Sequence, residues 1–250
     1  MEYLTLGRTG LMVSRTAFEL KQLQNKNEVD AYSLLLQKAY EEGINFFAVH
    51  ADHTFSLEAL GYTFSKYRSN LRYCLFSNAV SGEELTADID RALDALQCDY
   101  IEIVSICCQE VLPSPGSHDG LYDAFVKARK KGNVNHIALK TVFLNEARAA
   151  AISGLYEIVS YNFSAASSDE DESIAVLCDN MGTGFTALEP AGIDNLINIP
   201  LAFGYLNQFE NVVSLWNLTT EEKQTQILHF AENPPVLDDT FKEELAAFRS

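Results

Sequence analysis

Two imidazoles and a carboxylate fall within four residues, at His50, Asp52 and His53, just after the apolar run Ile44-Asn45-Phe46-Phe47-Ala48. Groups of these types can act as general acid and base, or can hold a metal if Cys107 or Glu189 joins them. The plainer reading is a polar loop, where an i, i+3 spacing fixes no geometry, and no metal site is expected from it. Cys107 and Cys108 are adjacent, and strand alternation would turn one inward as a nucleophile or a buried filler. Lys140 follows the apolar run Ile137-Ala138-Leu139 and could form a Schiff base if desolvated. The plainer expectation is an ion pair between Lys140 and Glu189. Glu19, Tyr161 and Asn78 occupy similar places, each close to the end of a short apolar run. His136 falls at the start of such a run and reads as structural, while His118 and His229 read as solvent-exposed.

The positions of these residues follow from the elements that carry them. The chain opens with a hairpin pattern, Tyr3 to Leu6, a turn over Gly7 to Gly10, then Leu11 to Val13. After it, short apolar runs alternate with helical patterns. Residues 28–42 place Val29, Leu35, Leu36, Ala39 and Tyr40 on one face, and Gly43 stops the helix. Strands are expected near 44–48, 72–77, 99–106, 134–139, 157–161, 184–188 and 212–215. Helices are expected near 57–66, 83–96, 121–131, 144–153, 169–180, 193–206, 219–230 and 238–248. About eight βα units with no later run of strands imply a parallel sheet with helices outside, and they fit a closed (β/α)8 barrel. An open doubly wound sheet would need a glycine-rich turn after its first strand, and Thr16-Ala17-Phe18-Glu19-Leu20 contains no glycine. One domain over residues 1–250 is expected. Barrel sites lie at the C-terminal ends of the strands, so Glu19, His50, Asp52, His53, Asn78, Cys107, Cys108, Lys140, Tyr161 and Glu189 are placed at one mouth.

Composition narrows the function classes. The 250 residues carry 35 acidic and 18 basic side chains, a formal net charge of −17, which argues against non-specific binding of nucleic acid or of an anionic membrane. No run is apolar for long enough to span a bilayer. The opening residues do not read as a secretory signal, and the five scattered cysteines contain no CxxC pair. A reduced, cytoplasmic protein is expected.

Several segments together resemble the aldo/keto reductases. They are Tyr3 to Arg15 (YLTLGRTGLMVSR), Ala39 to Phe47 (AYEEGINFF), Asp88 to Leu93 followed by Asp99 to Ile103, Lys130 to Ile137, and Gly184 to Pro190. The similarity runs from Met1 to about Phe230. It implies a (β/α)8 barrel whose N-terminal hairpin plugs the bottom. It also implies an Asp, a Tyr, a Lys and a His around a nicotinamide cofactor. At the matching positions this chain has Ala48, His53, Asn78 and Cys107. No Lys lies between Arg72 and Glu83, and no His between Asp99 and Pro113, so a small shift restores neither role.

The cofactor positions implied by the resemblance are also changed. The glycine-rich turn corresponds to Ala17-Phe18-Glu19-Leu20, the carboxamide pair to Lys140-Thr141, the next strand's Gln to Ser160, and the Lys-Pro to Glu189-Pro190. Near the last strand only Lys223, with Thr219 and Thr220, could meet a 2′-phosphate. Glu19 and Glu189 would repel a dinucleotide. No resident cofactor is expected, with NADP(H) the residual candidate. The leading expectation is a binding or regulatory protein on a reductase fold, with a protein partner or a small-molecule ligand at the mouth. The acidic segment Asp169 to Glu172 is one surface for such a partner. The alternative is a repurposed lyase, isomerase or cyclase using His50, Asp52 and His53 with Cys107, and the third is a residual NADP(H)-dependent oxidoreductase. Glu19, Lys140, Tyr161 and Glu189 would line the pocket.

Overall fold

The computed structural model describes residues 1–108, 111–192 and 196–249. Two short strands, β1 (Tyr3–Thr5) and β2 (Met12–Ser14), pair antiparallel. Eight parallel strands then close into a barrel: β3 (Thr16–Leu20), β4 (Phe46–His50), β5 (Arg72–Ser77), β6 (Ile101–Cys107), β7 (Val134–Thr141), β8 (Ile158–Asn162), β9 (Gly184–Leu188) and β10 (Val212–Leu218). β10 pairs with β3, so no edge is left open.

The helices lie outside. They are α1 (Val29–Glu41), α2 (Thr54–Phe64), α3 (Gly82–Leu96), α4 (Leu121–Lys131), α5 (Leu144–Ser153), α6 (Asp169–Met181), α7 (Ile199–Leu206), α8 (Glu221–Glu232) and α9 (Asp239–Arg249). Local chemistry sets their starts. Ser81 accepts from the Glu84 backbone, Asn198 from Leu201 and Thr220 from Lys223. Ser168 and Asp171 form a reciprocal capping box on α6. The helix expected over 193–206 begins at Ile199, and residues 193–195 lie outside the described residues.

Period-two alternation divides the core into two layers. Outward residues such as Phe47, Val49, Leu75 and Val104 pack under the helices. Inward residues fill the barrel: Ala17, Phe46, Ala48, Cys74, Phe76, Ile103, Ala138, Ile158, Leu188, Val213 and Leu215. Leu6 of the hairpin is fully buried at the bottom of that inner layer. Gly7 makes the plug possible. Its φ is +54°, and a Cβ there would lie 2.2 Å from the Gly184 nitrogen. Asn45 fastens the hairpin by accepting from the Ser14 N–H at 2.7 Å and donating to the Met12 carbonyl.

Of the strands that run further than the apolar pattern predicts, two carry a charged or imidazole side chain in the extension. β4 ends at His50 rather than Ala48, because His50 still pairs with Phe76 of β5. β7 continues through Lys140, paired with Cys107 on one side and Ser160 on the other. Both extensions move a polar side chain from an expected loop onto the barrel wall.

Candidate active site at the barrel mouth

Alternation along β4 turns Phe46, Ala48 and His50 to the barrel axis, and the same rule on β3 and β7 turns Glu19 and Lys140 there. Three side chains from three strands therefore meet. His50 Nε2 lies 3.1 Å from Glu19 Oε1 and 3.2 Å from Lys140 Nζ, and Lys140 Nζ lies 3.7 Å from Glu19 Oε1. Lys140 also sits 4.0 Å from the centroid of the Phe76 ring. The three side chains are 16% (His50), 17% (Glu19) and 21% (Lys140) exposed, so the cluster is recessed yet in contact with solvent. Burial works against ionisation of Glu19. The His50 hydrogen bond and the charges of Lys140, His50 and His53 outweigh it and hold the carboxyl below the ordinary carboxylate range.

Lys140 thus pairs with Glu19, not with Glu189 as expected. Glu189 lies just past the end of β9 with φ +49°, and its carboxylate accepts from Asn217 Nδ2 at 3.5 Å. The closed barrel puts Glu19 and Lys140 on the same inner layer, a proximity that sequence order does not display.

The His50-Ala51-Asp52-His53 segment splits. His50 belongs to the strand and the inner cluster. His53 follows it, with ring centroids 5.1 Å apart, and its Nδ1 is buried without a hydrogen-bond partner. Burial and the neighbouring His50 push the His53 pKa down, against the pull of Asp52 and Glu19. The Asp52 side chain is 68% exposed and 3.9 Å from His53, outside the cluster. With exposed Asn78 it lines a surface groove of about 280 Å³ that also includes Asp88 and Arg91.

Cys107 reaches the inner layer, but burial, with Glu19 and Asp52 adding to it against Lys140, pushes its thiol up to about 11. Burial therefore favours its protonated form over the thiolate. Cys108 turns outward into the helix layer, where its thiol donates to the Val111 carbonyl. Tyr161 alternates with Ser160 and Asn162, so it packs in the helix layer and donates to Asp171 at 2.6 Å. With Glu189 and Asn162 it borders a cleft of about 320 Å³ that also includes Phe163, Ile197 and Phe248. His136 pairs with Glu157 at 3.0 Å near the barrel bottom, as a structural residue would. Among the described residues, no three His, Cys, Asp or Glu side chains are grouped as metal ligands.

Several groups around the mouth that could meet a dinucleotide are already engaged within the chain. Past β3, backbone N–H groups that could cradle phosphate are engaged: Lys21 donates to Tyr32 and Leu23 to Ser56. Tyr32 in turn donates to the Leu218 carbonyl and seals the seam between β3 and β10. At α8, the Thr220 hydroxyl caps the Lys223 backbone, and Glu221 and Glu222 fill the first turn. Those carboxylates already occupy the positive end of the helix. Burial lowers the Lys223 pKa, with Glu189 opposing. Tyr32 falls inside the helix expected over 28–42 and Ser56 just before the one expected over 57–66, and neither carries a sequence signal of this kind.

No family model matches the sequence, and no curated protein matches it. Solved structures do. The aldo-keto reductase AKR11C1 from Bacillus halodurans, in its holo form, superposes with TM-score 0.83 at 13% identity, covering 100% of this chain and 97% of that one. The chain has the aldo-keto reductase fold. The thermostable aldo-keto reductase Tm1743, solved with the inhibitor epalrestat, gives TM-score 0.80 at 15% identity over 99% of both chains. PA4992 of Pseudomonas aeruginosa, described as an aldo-keto reductase, gives 0.76 at 15% identity over 92% of this chain and 94% of its own. Identities this low carry the architecture and leave the chemistry to the residues. No helix among the described residues is long and apolar enough to cross a membrane.

Proposed function

We propose that this chain uses the aldo-keto reductase fold for a cofactor-independent task on a small molecule at the barrel mouth, and not for NADP(H)-dependent reduction. One observation carries the reading. The centre of the mouth is occupied by Glu19, His50 and Lys140, which compensate one another electrostatically while remaining in contact with solvent. In the resemblance, a hydride acceptor would need a tuned phenol beside a lysine. Here the position of that lysine is Asn78, which is neutral and exposed, and the ring beside His53 is a second imidazole, His50.

A partner-binding role at the acidic start of α6 is supported less well. Asp171 is engaged by Ser168 and Tyr161, Glu170 by Arg148, and Glu172 by Tyr205 and Arg249. That segment works as a helix cap and an anchor. The test is a fluorescence titration with NADPH and an assay of NADPH oxidation with simple aldehydes. The expected result is no saturation in the low micromolar range and no turnover. Saturable tight binding with turnover lost in His53→Ala would replace this reading with a rebuilt reductase.

A further inference from the structure

We infer that the mouth is a proton-transfer site for small carbonyl compounds with a hydrogen on the adjacent carbon, with His50 as base, Lys140 as the oxygen-holding donor and Glu19 as the positioning residue. The inference rests on the cofactor-independent reading above and gives it a substrate class and a reaction.

The argument begins with hydrogen-bond capacity. An imidazole nitrogen either donates or accepts, and Nε2 of His50 touches a carboxylate at 3.1 Å and an ammonium at 3.2 Å. If Nε2–H donates to Glu19, Lys140 faces another donor. If Nε2 accepts from Lys140, its lone pair leaves Glu19 facing a nitrogen without a proton. One contact is unsatisfied in either case. A ligand oxygen that accepts from Lys140 removes the conflict and leaves the Glu19–His50 bond intact.

Lys140 has capacity for that oxygen. An ammonium carries three donors, and among the described residues its contacts are His50, Glu19 at 3.7 Å and the face of Phe76. The other imidazole nitrogen is also available. Among the described residues nothing bonds His50 Nδ1, and it is not one of the buried atoms left without a partner. A carboxylate on one imidazole nitrogen with the other open is the arrangement of an oriented general base. The cluster stands on the packed apolar inner layer of the barrel, which includes Ala48, Cys74, Phe76, Leu188 and Leu215. The charged or titratable groups around His50 among the described residues are Glu19 from β3, Cys74 from β5, Cys107 from β6, Lys140 from β7, and Asp52 and His53 beyond β4.

The step balances without a cofactor. The C–H bond next to the carbonyl breaks, and its proton goes to His50 Nδ1. Its electron pair forms the carbon–carbon double bond of an enolate. The carbonyl π pair becomes an oxyanion held by Lys140, and Glu19 stabilises the imidazolium. Return of a proton to the same carbon re-forms the carbonyl and completes exchange; where that carbon bears a hydroxyl, protonation of the former carbonyl carbon, with the hydroxyl proton passing to the oxyanion, gives the isomer.

The experiment follows loss of the α-proton NMR signals of pyruvate and of dihydroxyacetone in D2O with the full chain. Wild type should exchange at least one probe, and His50→Ala should slow it about 100-fold or more, the range of a lost general base. Lys140→Met should slow it with a raised KM. Glu19→Gln should lower the rate and shift the pH–rate profile, which a purely structural residue would not do. His229→Ala, a surface imidazole, should match wild type. Circular dichroism of each variant separates unfolding from lost chemistry. Exchange of both probes no faster than in folded His50→Ala overturns the proposal, while absent NADPH binding leaves the broader reading standing. A borohydride-trapped adduct on Lys140 would also overturn it, because Lys140 would then act as a Schiff base.

Discussion

At the scale of single residues, Glu19 has the most to lose from substitution. Its carboxylate is recessed beside one ammonium and one imidazole, and removing it leaves Lys140 without a counter-charge. Glu19→Gln should therefore destabilise the fold by about 1–3 kcal/mol at pH 7, the cost of leaving recessed charged groups poorly partnered. The pH dependence has a definite sign. The folded-state pKa of Glu19 is depressed, so its contribution is present at neutral pH and is lost as pH falls through and below the ordinary carboxylate range. Urea melts of wild type and Glu19→Gln should differ at pH 7 and converge in acid. A gap that stays constant with pH would show that Glu19 is held by packing and not by charge.

At the scale of elements, Gly61 reverses a general rule. A glycine inside a helix normally gains up to about 1 kcal/mol on replacement by alanine. In α2, a Cβ at position 61 would lie 2.6 Å from the Ala95 carbonyl oxygen and 2.7 Å from the Leu96 Cα, both backbone atoms of α3. Neither can rotate away, so the helices must separate. Gly61→Ala should lower stability by roughly 1–3 kcal/mol, the range for overpacking, read as a lower urea midpoint. The order of elements was legible in the sequence because alternation of apolar runs and amphipathic stretches dictates it, and α4, α5, β5 and β9 match their expected spans. The ends of the polar-tipped strands were not legible. His50 and Lys140 break the apolar run, and only pairing with β5, β6 and β8 keeps them in the sheet. Glu19 and Lys140 were both placed at the mouth, but their mutual pairing depends on the closure of the barrel and carries no mark in local sequence.

At the scale of the whole molecule, the mouth cluster and the outermost helix lie in different layers. Glu19, His50 and Lys140 project into the barrel, whereas α9 is fastened to the outside. Phe241 of α9 is 7% exposed and lies against Gly204 of α7, where a Cβ would come within 2.3 Å of the ring. Arg249 at the other end of α9 donates to the Ala165 and Ser167 carbonyls, pairs with Glu172 and lies over Tyr205. Truncating Phe241 removes a large side chain from a site that the Gly204 backbone cannot collapse to fill. Phe241→Ala should therefore cost about 3–5 kcal/mol, as for other buried phenylalanines. Sites without shared partners act almost independently, so the surviving folded molecules should keep the mouth unchanged. The check combines a urea melt with the α-proton exchange rate per folded molecule well below the melting temperature. A lower midpoint with an unchanged His50-dependent rate is expected. A rate that falls in step with stability would mean that α9, through Phe248 at the cleft beside Tyr161 and Glu189, helps to shape the mouth.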